Sequence, residues 1–308
     1  MYDEFNIIDW LIPVNKWTRP GTKITPGGLA IHWTGNINFG ADAKANANYF
    51  HNLNGSYASA PYILDSVRTY RLFPENEMAY HVGSSNGYKT DRFGNYPNDK
   101  LIGLEICVNM DGDFKTTYDR AVGFAAAILK RYGWDPKKHM VRHYDVTGKD
   151  CPMMMTDYIK DPAHVRASVK SMIKRKKDET DASYEKRIAE GITFMKTLNI
   201  GGVTGNALWA KFVADVGAAM SGKKPESIED KVVYHMGKYF ADVDDNSWSG
   251  KIVNQAHEMK TANGQSLMGG STDAKGKLVA RPNENITRAE TAALMIRAIN
   301  YAVEQAKK

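Results

Sequence analysis

Two residue types that ligate metals lie close together in one segment of the 308-residue chain. Residues 142–152 read RHYDVTGKDCP, which places His143 and Cys151 eight positions apart with Lys149 between them. Imidazole and thiolate are the side chains that a borderline-soft cation such as zinc prefers, and the spacing leaves room for one tight loop. Two ligands do not complete a site, so the chain must fold to bring a third ligand to this loop.

The best candidate for the third ligand is His32. It follows the apolar run at residues 29–31 and precedes the turn residues of the sequence WTGN. A ligand at the end of a buried strand is held rigidly while it faces a cleft. Three protein ligands leave the fourth tetrahedral position open for water, as in catalytic rather than structural zinc sites. The pattern therefore predicts a zinc-dependent hydrolase.

A single carboxylate interrupts the apolar segment KLIGLEICVN at residues 100–109. The length and the β-branched content of this segment predict a strand, and alternation puts Gly103, Glu105 and Cys107 on one face. A carboxylate in such a run is costly to bury unless something pairs with it. We therefore expect Glu105 to face a cation or a bound metal.

Short strand patterns alternate with helical patterns in the first half of the chain. Strands are predicted up to His32, at 61–65, at 69–73 and at 100–109, with helices at 41–53 and 118–132. This alternation predicts an α/β (α+β) fold with a mixed central sheet flanked by helices. Residues 161–177 are predicted to form a basic amphipathic helix that ends in KRKK. That run is most simply a solvated helix end, with a wall-binding or nucleic-acid patch as the alternative.

The length of the chain favours two domains. We predict a catalytic domain at 1–160, a helical linker at 161–183 and a second, mainly helical domain at 184–308. Within the second domain, residues 184–221 have a helical pattern that a glycine-rich turn at 200–205 interrupts.

Charge and composition restrict the partners. A net charge of +6 and a pI near 9.0 favour binding to a polyanion, either nucleic acid or an anionic bacterial wall. No apolar run approaches the roughly 20 residues that a bilayer span needs, so membrane insertion is not expected. The acidic start MYDEFNIIDW lacks the basic region of a secretion signal. Two cysteines argue against a disulfide framework and for a reducing compartment, which predicts storage in the cytoplasm.

Three motifs together resemble those of zinc-dependent N-acetylmuramoyl-L-alanine amidases, which are related to amidase-type phage lysozymes and peptidoglycan recognition proteins. They are IHWTGN, GLEIC and HYDVTGKDCP, and they occur in the family's order within residues 20–160. The resemblance implies that His32, His143 and Cys151 are the zinc ligands. It also implies a mixed sheet with a substrate groove over the metal.

The same resemblance assigns roles to residues that do not ligate the metal. Glu105 matches the family's catalytic glutamate, and Lys149 matches a lysine that stabilises the oxyanion. His81 in AYHVG matches a histidine that contacts substrate. Ala60 stands where some members have a catalytic tyrosine, which makes Glu105 the more important base.

The activity implied by the resemblance is hydrolysis of the amide between N-acetylmuramic acid and L-alanine in peptidoglycan, as in a phage endolysin. The expected polyanion is then the wall and not nucleic acid. Two alternatives stay open, a host autolysin with the same chemistry and a peptidoglycan-binding protein without activity. Binding-only relatives commonly lose the cysteine ligand, so the presence of Cys151 favours the enzyme.

A second, weaker resemblance concerns residues 239–302, which are similar to an S-layer homology module. YFADVDDNSW matches the opening of that family's pattern, and RPNENITRAETAAL matches its closing part. The resemblance implies a helical module that binds a secondary cell-wall polymer through Arg288. The alternative role of Arg288 is structural, as a partner of Glu290 at the start of a helix.

Overall fold

The computed structural model describes residues 5–83 and 87–222, together with the backbone of residues 271–272 and 278–279. The chain divides into two compact units, Met1–Lys224 and Pro225–Lys308. The described part of the second unit is a short antiparallel pair of strands, Ser271–Thr272 and Leu278–Val279. The other residues of the predicted S-layer-type module, Arg288 and Glu290 among them, lie outside the described residues.

Six strands of the first unit form one mixed sheet. They are β1 (Ile7–Asp9), β2 (Gly28–Trp33), β3 (Tyr62–Leu64), β4 (Thr69–Arg71), β5 (Leu101–Ile106) and β6 (Met140–Arg142). Their spatial order is β1-β4-β3-β5-β2-β6. The β3–β4 pair is antiparallel, and the other neighbouring pairs are parallel. The structure confirms the predicted fold class and adds β1 and β6, three-residue strands that the sequence pattern did not predict.

Helices surround this sheet. They are α1 (Ala43–Asn52), α2 (Phe114–Tyr132), α3 (Pro136–His139), α4 (His143–Thr147), α5 (Pro162–Met172), α6 (Asp181–Met195) and α7 (Gly205–Met220). The predicted helix at 118–132 begins earlier, at Phe114, because the side chain of Asp113 caps it by accepting a hydrogen bond from the Thr116 N–H. It ends as predicted at Gly133, which adopts the left-handed conformation with φ of 67°.

Alternation along β2 and β5 gives the sheet two different faces. Ile31 and Leu104 belong to the buried cluster that contains Phe124 of α2. His32 and Glu105 follow them in the chain, and the two are register partners in the parallel β2–β5 pair. Because successive side chains of a strand point to opposite faces, His32 and Glu105 lie together on the face away from α2.

Helices α6 and α7 belong to the first unit. Leu208, Phe212 and Val216 of α7 are fully buried in the cluster that α2 also lines. The Tyr118 hydroxyl of α2 donates a hydrogen bond to Asp215 of α7 at 2.9 Å. By compactness the chain divides after residue 224, so α6 and α7 lie in the first unit, whereas the sequence pattern placed them beyond a boundary within 161–183. The roles predicted for the two domains stay predictions. An apolar helix face in the sequence shows that something covers it, but not which element does so.

The basic segment also differs from its prediction. Helix α5 ends at Met172, so the KRKK run at 174–177 lies in the connection to α6 and is not a helix end. The backbone of this connection is fixed by the side chain of Glu179, which accepts a hydrogen bond from the Lys176 N–H at 3.0 Å. The run is thus part of a loop within the first unit instead of the end of a helix.

Replacing Phe212 by alanine tests whether α7 is part of the first unit's core. We expect Phe212→Ala to lower the free energy of unfolding by about 3–5 kcal/mol, because it empties a fully buried ring position. The matched control is Phe39→Ala at a ring that is 74% exposed, where the change should stay within about 0.5 kcal/mol. Urea unfolding followed by fluorescence measures both. Equal transitions for the two variants would show that α7 does not stabilise this unit.

Candidate functional site

The candidate site residues lie at one edge of the sheet. His32 is the penultimate residue of β2, Glu105 is the penultimate residue of β5, and His143 directly follows β6. These three strands are parallel, so their carboxyl ends lie at the same edge. Ligands in open α/β sheets bind at this edge.

The segment from His143 to Cys151 folds into the predicted tight loop. Helix α4 ends at Gly148, which has φ of 82° and whose N–H donates to the Tyr144 carbonyl. The Tyr144 N–H in turn donates to the Cys151 carbonyl at 2.9 Å. This closure brings Cys151 back beside His143. A residue with a Cβ is disfavoured at Gly148 because of its positive φ.

His32, His143 and Cys151 form one buried cluster. Their ligand atoms all lie within 4.8 Å of one another, and the Cys151 Sγ is 3.5 Å from the His32 Nδ1. The rings of His32 and His143 meet edge to face, with centroids 4.9 Å apart. In a tetrahedral site with bonds of about 2.0–2.3 Å, ligand atoms lie roughly 3.3–3.8 Å apart. The cluster is therefore close to the geometry that one metal ion requires.

The chemistry of the cluster also fits a divalent cation. The Nε2 of His143 is buried and has no hydrogen-bond partner among the described residues. Burial, together with the charge of neighbouring groups, lowers the pKa of His143 to about 3 and that of His32 well below its usual range. Both imidazoles are therefore neutral and offer lone pairs. Burial raises the pKa of the Cys151 thiol, so a nearby cation is needed to hold the thiolate.

A hydrogen-bonded chain fixes the tautomer of His32. The His81 Nε2 lies 3.0 Å from the Leu101 carbonyl oxygen, which can only accept, so this nitrogen donates. Burial lowers the pKa of His81 to about 4, so the ring is neutral and its Nδ1 accepts. That Nδ1 lies 2.9 Å from the His32 Nε2, which must carry the proton. The lone pair of His32 is therefore on Nδ1, on the side of Cys151.

The hydrogen bonds of His81 depend on the absence of a side chain at Gly103. A Cβ at Gly103 would lie 2.9 Å from the His81 Nδ1, too close for any other residue without displacing the ring. Strand alternation predicts that Gly103 shares a face with Glu105, but it does not predict this contact with His81. A glycine inside a strand, which often marks a close approach of another group, is the signal that could have found it.

The predicted role of His81 as a substrate contact stays a prediction. Its ring lines the groove over the metal-ligand cluster, and it is buried. Both of its ring nitrogens are already engaged within the protein, by His32 and by the Leu101 carbonyl. The hydrogen bonds therefore favour a role in orienting His32.

Glu105 and Lys149 line the same groove. The Glu105 side chain is partly exposed there, while its Oε2 is buried and without a hydrogen-bond partner among the described residues. Burial raises the pKa of Glu105 to about 8, and the positive charge of Lys149 opposes that shift. A carboxyl group with this pKa can exchange protons near neutral pH, as a general acid or base must.

The groove is large, with a volume of about 1170 Å³, and tyrosines line much of it. Tyr57 lies between Trp17 and Tyr80, with ring centroids 5.1 and 5.2 Å away. His164 also lines the groove, where its Nε2 lies 2.8 Å from an oxygen of Asp150. These residues could not be predicted from the sequence, because isolated aromatic and polar side chains form no pattern in it.

Two other features bear on the predictions. Cys107 and Cys151 are both free and buried, so no disulfide competes for the candidate ligand. Within the described part of the chain, no helix has the length and apolar character that crossing a bilayer requires.

Residues 22–153 match the family model for N-acetylmuramoyl-L-alanine amidase. The matched segment includes the three candidate ligands as well as Glu105 and Lys149. The match ends before α5.

Individual relatives resemble the same part of the chain. The N-acetylmuramoyl-L-alanine amidase BlyA of Bacillus subtilis is 37% identical over 153 residues, which cover 46% of this chain and 40% of BlyA. CwlL of Bacillus licheniformis, with the same activity in its name, is 35% identical over 152 residues, covering 47% of this chain and 41% of CwlL. The chain thus spans less than half the length of these two relatives. The solved catalytic domain of XlyA is 34% identical over 48% of this chain and 90% of that domain, with a TM-score of 0.43.

Removing the His81 nitrogens tests the hydrogen-bonded chain. His81→Phe keeps a ring of similar size but leaves the His32 Nε2–H without its acceptor. We expect Zn²⁺ to bind about 10- to 100-fold more weakly, as is usual when the partner of a ligating histidine is removed. Competition with a chromophoric chelator measures the affinity. His51→Phe is the matched control, since His51 stacks on Trp10 and bonds its carbonyl outside the cluster. Equal affinities in the two variants would refute the orienting role.

The stability of the metal-free protein should depend on Glu105 and pH. The folded pKa near 8 exceeds the usual 4.5, so between these values the folded state holds a proton that the unfolded state has lost. Its contribution to the free energy of unfolding is therefore present at low pH and falls as pH rises through this interval. We expect Glu105→Gln to be more stable than the wild type at pH 9 by about 2 kcal/mol, allowing for partial exposure, and nearly equal at pH 4.

Urea unfolding in the presence of a chelator, at a series of pH values, measures this difference. Glu75→Gln is a control at a carboxylate that accepts hydrogen bonds from Tyr62 and Tyr132 outside the groove. A Glu105→Gln curve parallel to that of the wild type at all pH values would contradict the raised pKa.

Proposed function

We propose that this chain, whose residues 22–153 match the N-acetylmuramoyl-L-alanine amidase family, hydrolyses the amide between N-acetylmuramic acid and L-alanine in peptidoglycan. Zinc held by His32, His143 and Cys151 is the cofactor of this proposal. The observation that carries it is the convergence of these three buried side chains beneath a groove that Glu105 and Lys149 also line. An open groove above three ligands is the arrangement of catalytic zinc sites.

Amide hydrolysis requires help at both reactants, because an amide is a poor electrophile and water is a poor nucleophile. When bound, zinc supplies Lewis acidity that lowers the pKa of water and polarises a carbonyl oxygen. The thiolate of Cys151 brings negative charge to the cluster, which leaves the water less acidic than three neutral imidazoles would. A protein base beside the attacking water is therefore more important here.

Glu105 is the base in this proposal. Its Oε2 has no partner within the described residues and can accept a proton from the attacking water as the oxygen bonds to the carbonyl carbon. The same carboxyl group can then deliver that proton to the amide nitrogen as the carbon–nitrogen bond breaks. The products are the lactyl carboxylate of the sugar and the free amino group of L-alanine.

Lys149 stabilises the charge that develops on the substrate oxygen. It lies in the loop between His143 and Cys151 and lines the groove. Its charge lowers the pKa of His143 and of His32 and opposes the rise at Glu105, so its positive field reaches the whole cluster. A cation aimed at developing negative charge is often the largest single contribution to catalysis.

The biological setting is also part of the proposal. We infer an endolysin that is stored in the cytoplasm before it reaches the wall, and a host autolysin would use the same chemistry. A peptidoglycan-binding protein without activity is the alternative, but it would not need the buried Cys151 thiol beside two neutral imidazoles. The sequence motifs in 239–302, with Arg288, support wall targeting through a secondary polymer, and they remain a prediction for the second unit.

Cysteine substitutions test the proposed activity with a matched pair. Cys151→Ser should lower the release of new L-alanine amino termini from purified Gram-positive walls by at least about 10³-fold, because it removes a zinc ligand. Cys107→Ser changes the other buried thiol, which lies outside the cluster, and should retain activity within a few-fold. Zinc content, measured on the same samples, should fall in Cys151→Ser alone. Equal clearing by both variants, or no amide cleavage by the zinc-loaded wild type, would refute the amidase.

A further inference from the structure

The groove at the metal-ligand cluster continues into a second section. Thr34, Glu105 and Met172 line both sections, so the two are continuous. The second section has a volume of about 580 Å³. It lies between the loop that follows β2, one side of α1, and the chain from the end of α5 to α6.

The second section is basic. Lys174, Lys176 and Arg187 line it. The Arg187 guanidinium donates to both oxygens of Glu179, at 3.0 and 2.8 Å, so its charge is largely neutralised. Neither Lys174 nor Lys176 forms an ion pair within residues 5–222 as described, whereas Arg175 between them pairs with Asp181. Two lysine charges are therefore available to a ligand in this section.

The opposite end of the groove has a different character. Tyr57, Tyr80 and Tyr96 line the first section but not the second. Tyr57 and Tyr96 are exposed, so their rings are accessible from the groove. Aromatic rings offer a flat apolar surface on which the apolar face of a sugar ring can pack. The first section thus holds the metal-ligand cluster and these three tyrosines, whereas the second section, which Tyr49 and Phe50 also line, holds the two lysines.

We propose that the basic section, with Lys174 and Lys176, binds the free carboxylates of the peptide part of the substrate. This inference rests on the proposed function, which places the scissile amide at the cluster with glycan on one side and peptide on the other. The glycan next to that amide carries no free carboxylate, so the peptide is the part with charges that match the lysines. Lysine ammonium groups bind carboxylates as compact cations.

The basic section lies outside the segment that matches the amidase family. The match ends at residue 153, whereas the lysines lie in the connection between α5 and α6 and Arg187 is on α6. The helices beyond the family domain thus build one end of the substrate groove. The KRKK run would then have a role in substrate specificity. Neither the chemistry at the cluster nor the packing of the helices explains the presence of this run.

The test compares two variants that change the net charge equally. Lys174→Glu/Lys176→Glu reverses the lysines of the basic section, and Lys177→Glu/Lys196→Glu reverses two exposed lysines that line neither section. The substrates are a synthetic muramoyl peptide with free carboxylates and the same peptide with its carboxyl groups amidated. For the free-carboxylate peptide we expect KM to rise about tenfold in the first variant, with kcat within twofold. The amidated peptide and the control variant should show changes below twofold.

Each other outcome is decisive. An equal rise in KM for both peptides, or no rise, would overturn the proposal while the amidase activity stands. Loss of affinity for purified anionic wall polymer with an unchanged KM for the peptide would assign the lysines to that polymer and also overturn it. If the zinc-loaded wild type cleaves neither peptide, the proposed function fails. In that case calorimetry would measure the binding of the same peptides to the same variants. Selective loss of binding of the free-carboxylate peptide in Lys174→Glu/Lys176→Glu would support the inference, and equal binding of both peptides would reject it.

Discussion

The parallel pairing of β2 with β5 is the constraint on which the rest of the site depends. Its register places His32 beside Glu105 on one face while Ile31 and Leu104 enter the core beneath α2. A slip by one residue would exchange the two sets, burying an imidazole and a carboxylate under α2 and exposing two apolar side chains. The hydrophobic core therefore specifies the register, and the register positions the candidate ligand His32 and the proposed base Glu105. The energy of apolar burial and the geometry of the site are thus set by the same backbone hydrogen bonds.

A buried arginine connects the site to the helices that follow the family domain. Arg142, the residue before the ligand His143, pairs with Asp145 and donates to the Met155 carbonyl and to Asn206 at the start of α7. Its guanidinium also lies over the ring of Trp209 in α7, 5.4 Å from the ring centroid. A charge with so little exposure is tolerated because each of its three nitrogens donates at least one hydrogen bond and Asp145 supplies the opposite charge. The loop that carries His143 and Cys151 is therefore held from both sides, by the sheet and by α7.

The structure could be predicted from the sequence where a local pattern is compatible with few conformations. The spacing of His143 and Cys151 predicted a tight loop, which Gly148 helps to close. The lone carboxylate of β5 predicted a cationic or metal-bound partner for Glu105, and that partner stays a prediction. The strands β2 to β5 and the helices α1 and α2 were predicted from composition and periodicity, but β1 and β6 were not. Packing partners could not be predicted, because the apolar faces of α6 and α7 are compatible with a separate domain or with the core of the first unit. The hydrogen bonds that link the Leu101 carbonyl, His81 and His32 could not be predicted for the same reason. These residues lie in separate segments whose proximity no local pattern encodes.

Burial affects the protonation states of all the groups in the cluster together. Without a cation, desolvation favours the neutral form of every group, so it lowers the pKa of the imidazoles and raises the pKa of the thiol and of Glu105. The neutral imidazoles are ready to ligate, but the thiol and the carboxyl must lose protons to act. A divalent cation reverses the balance for those two groups alone, because its charge stabilises the thiolate and the carboxylate. Under the proposed function, metal binding would therefore be coupled to proton release, and the proposed base and the full ligand set would become available together.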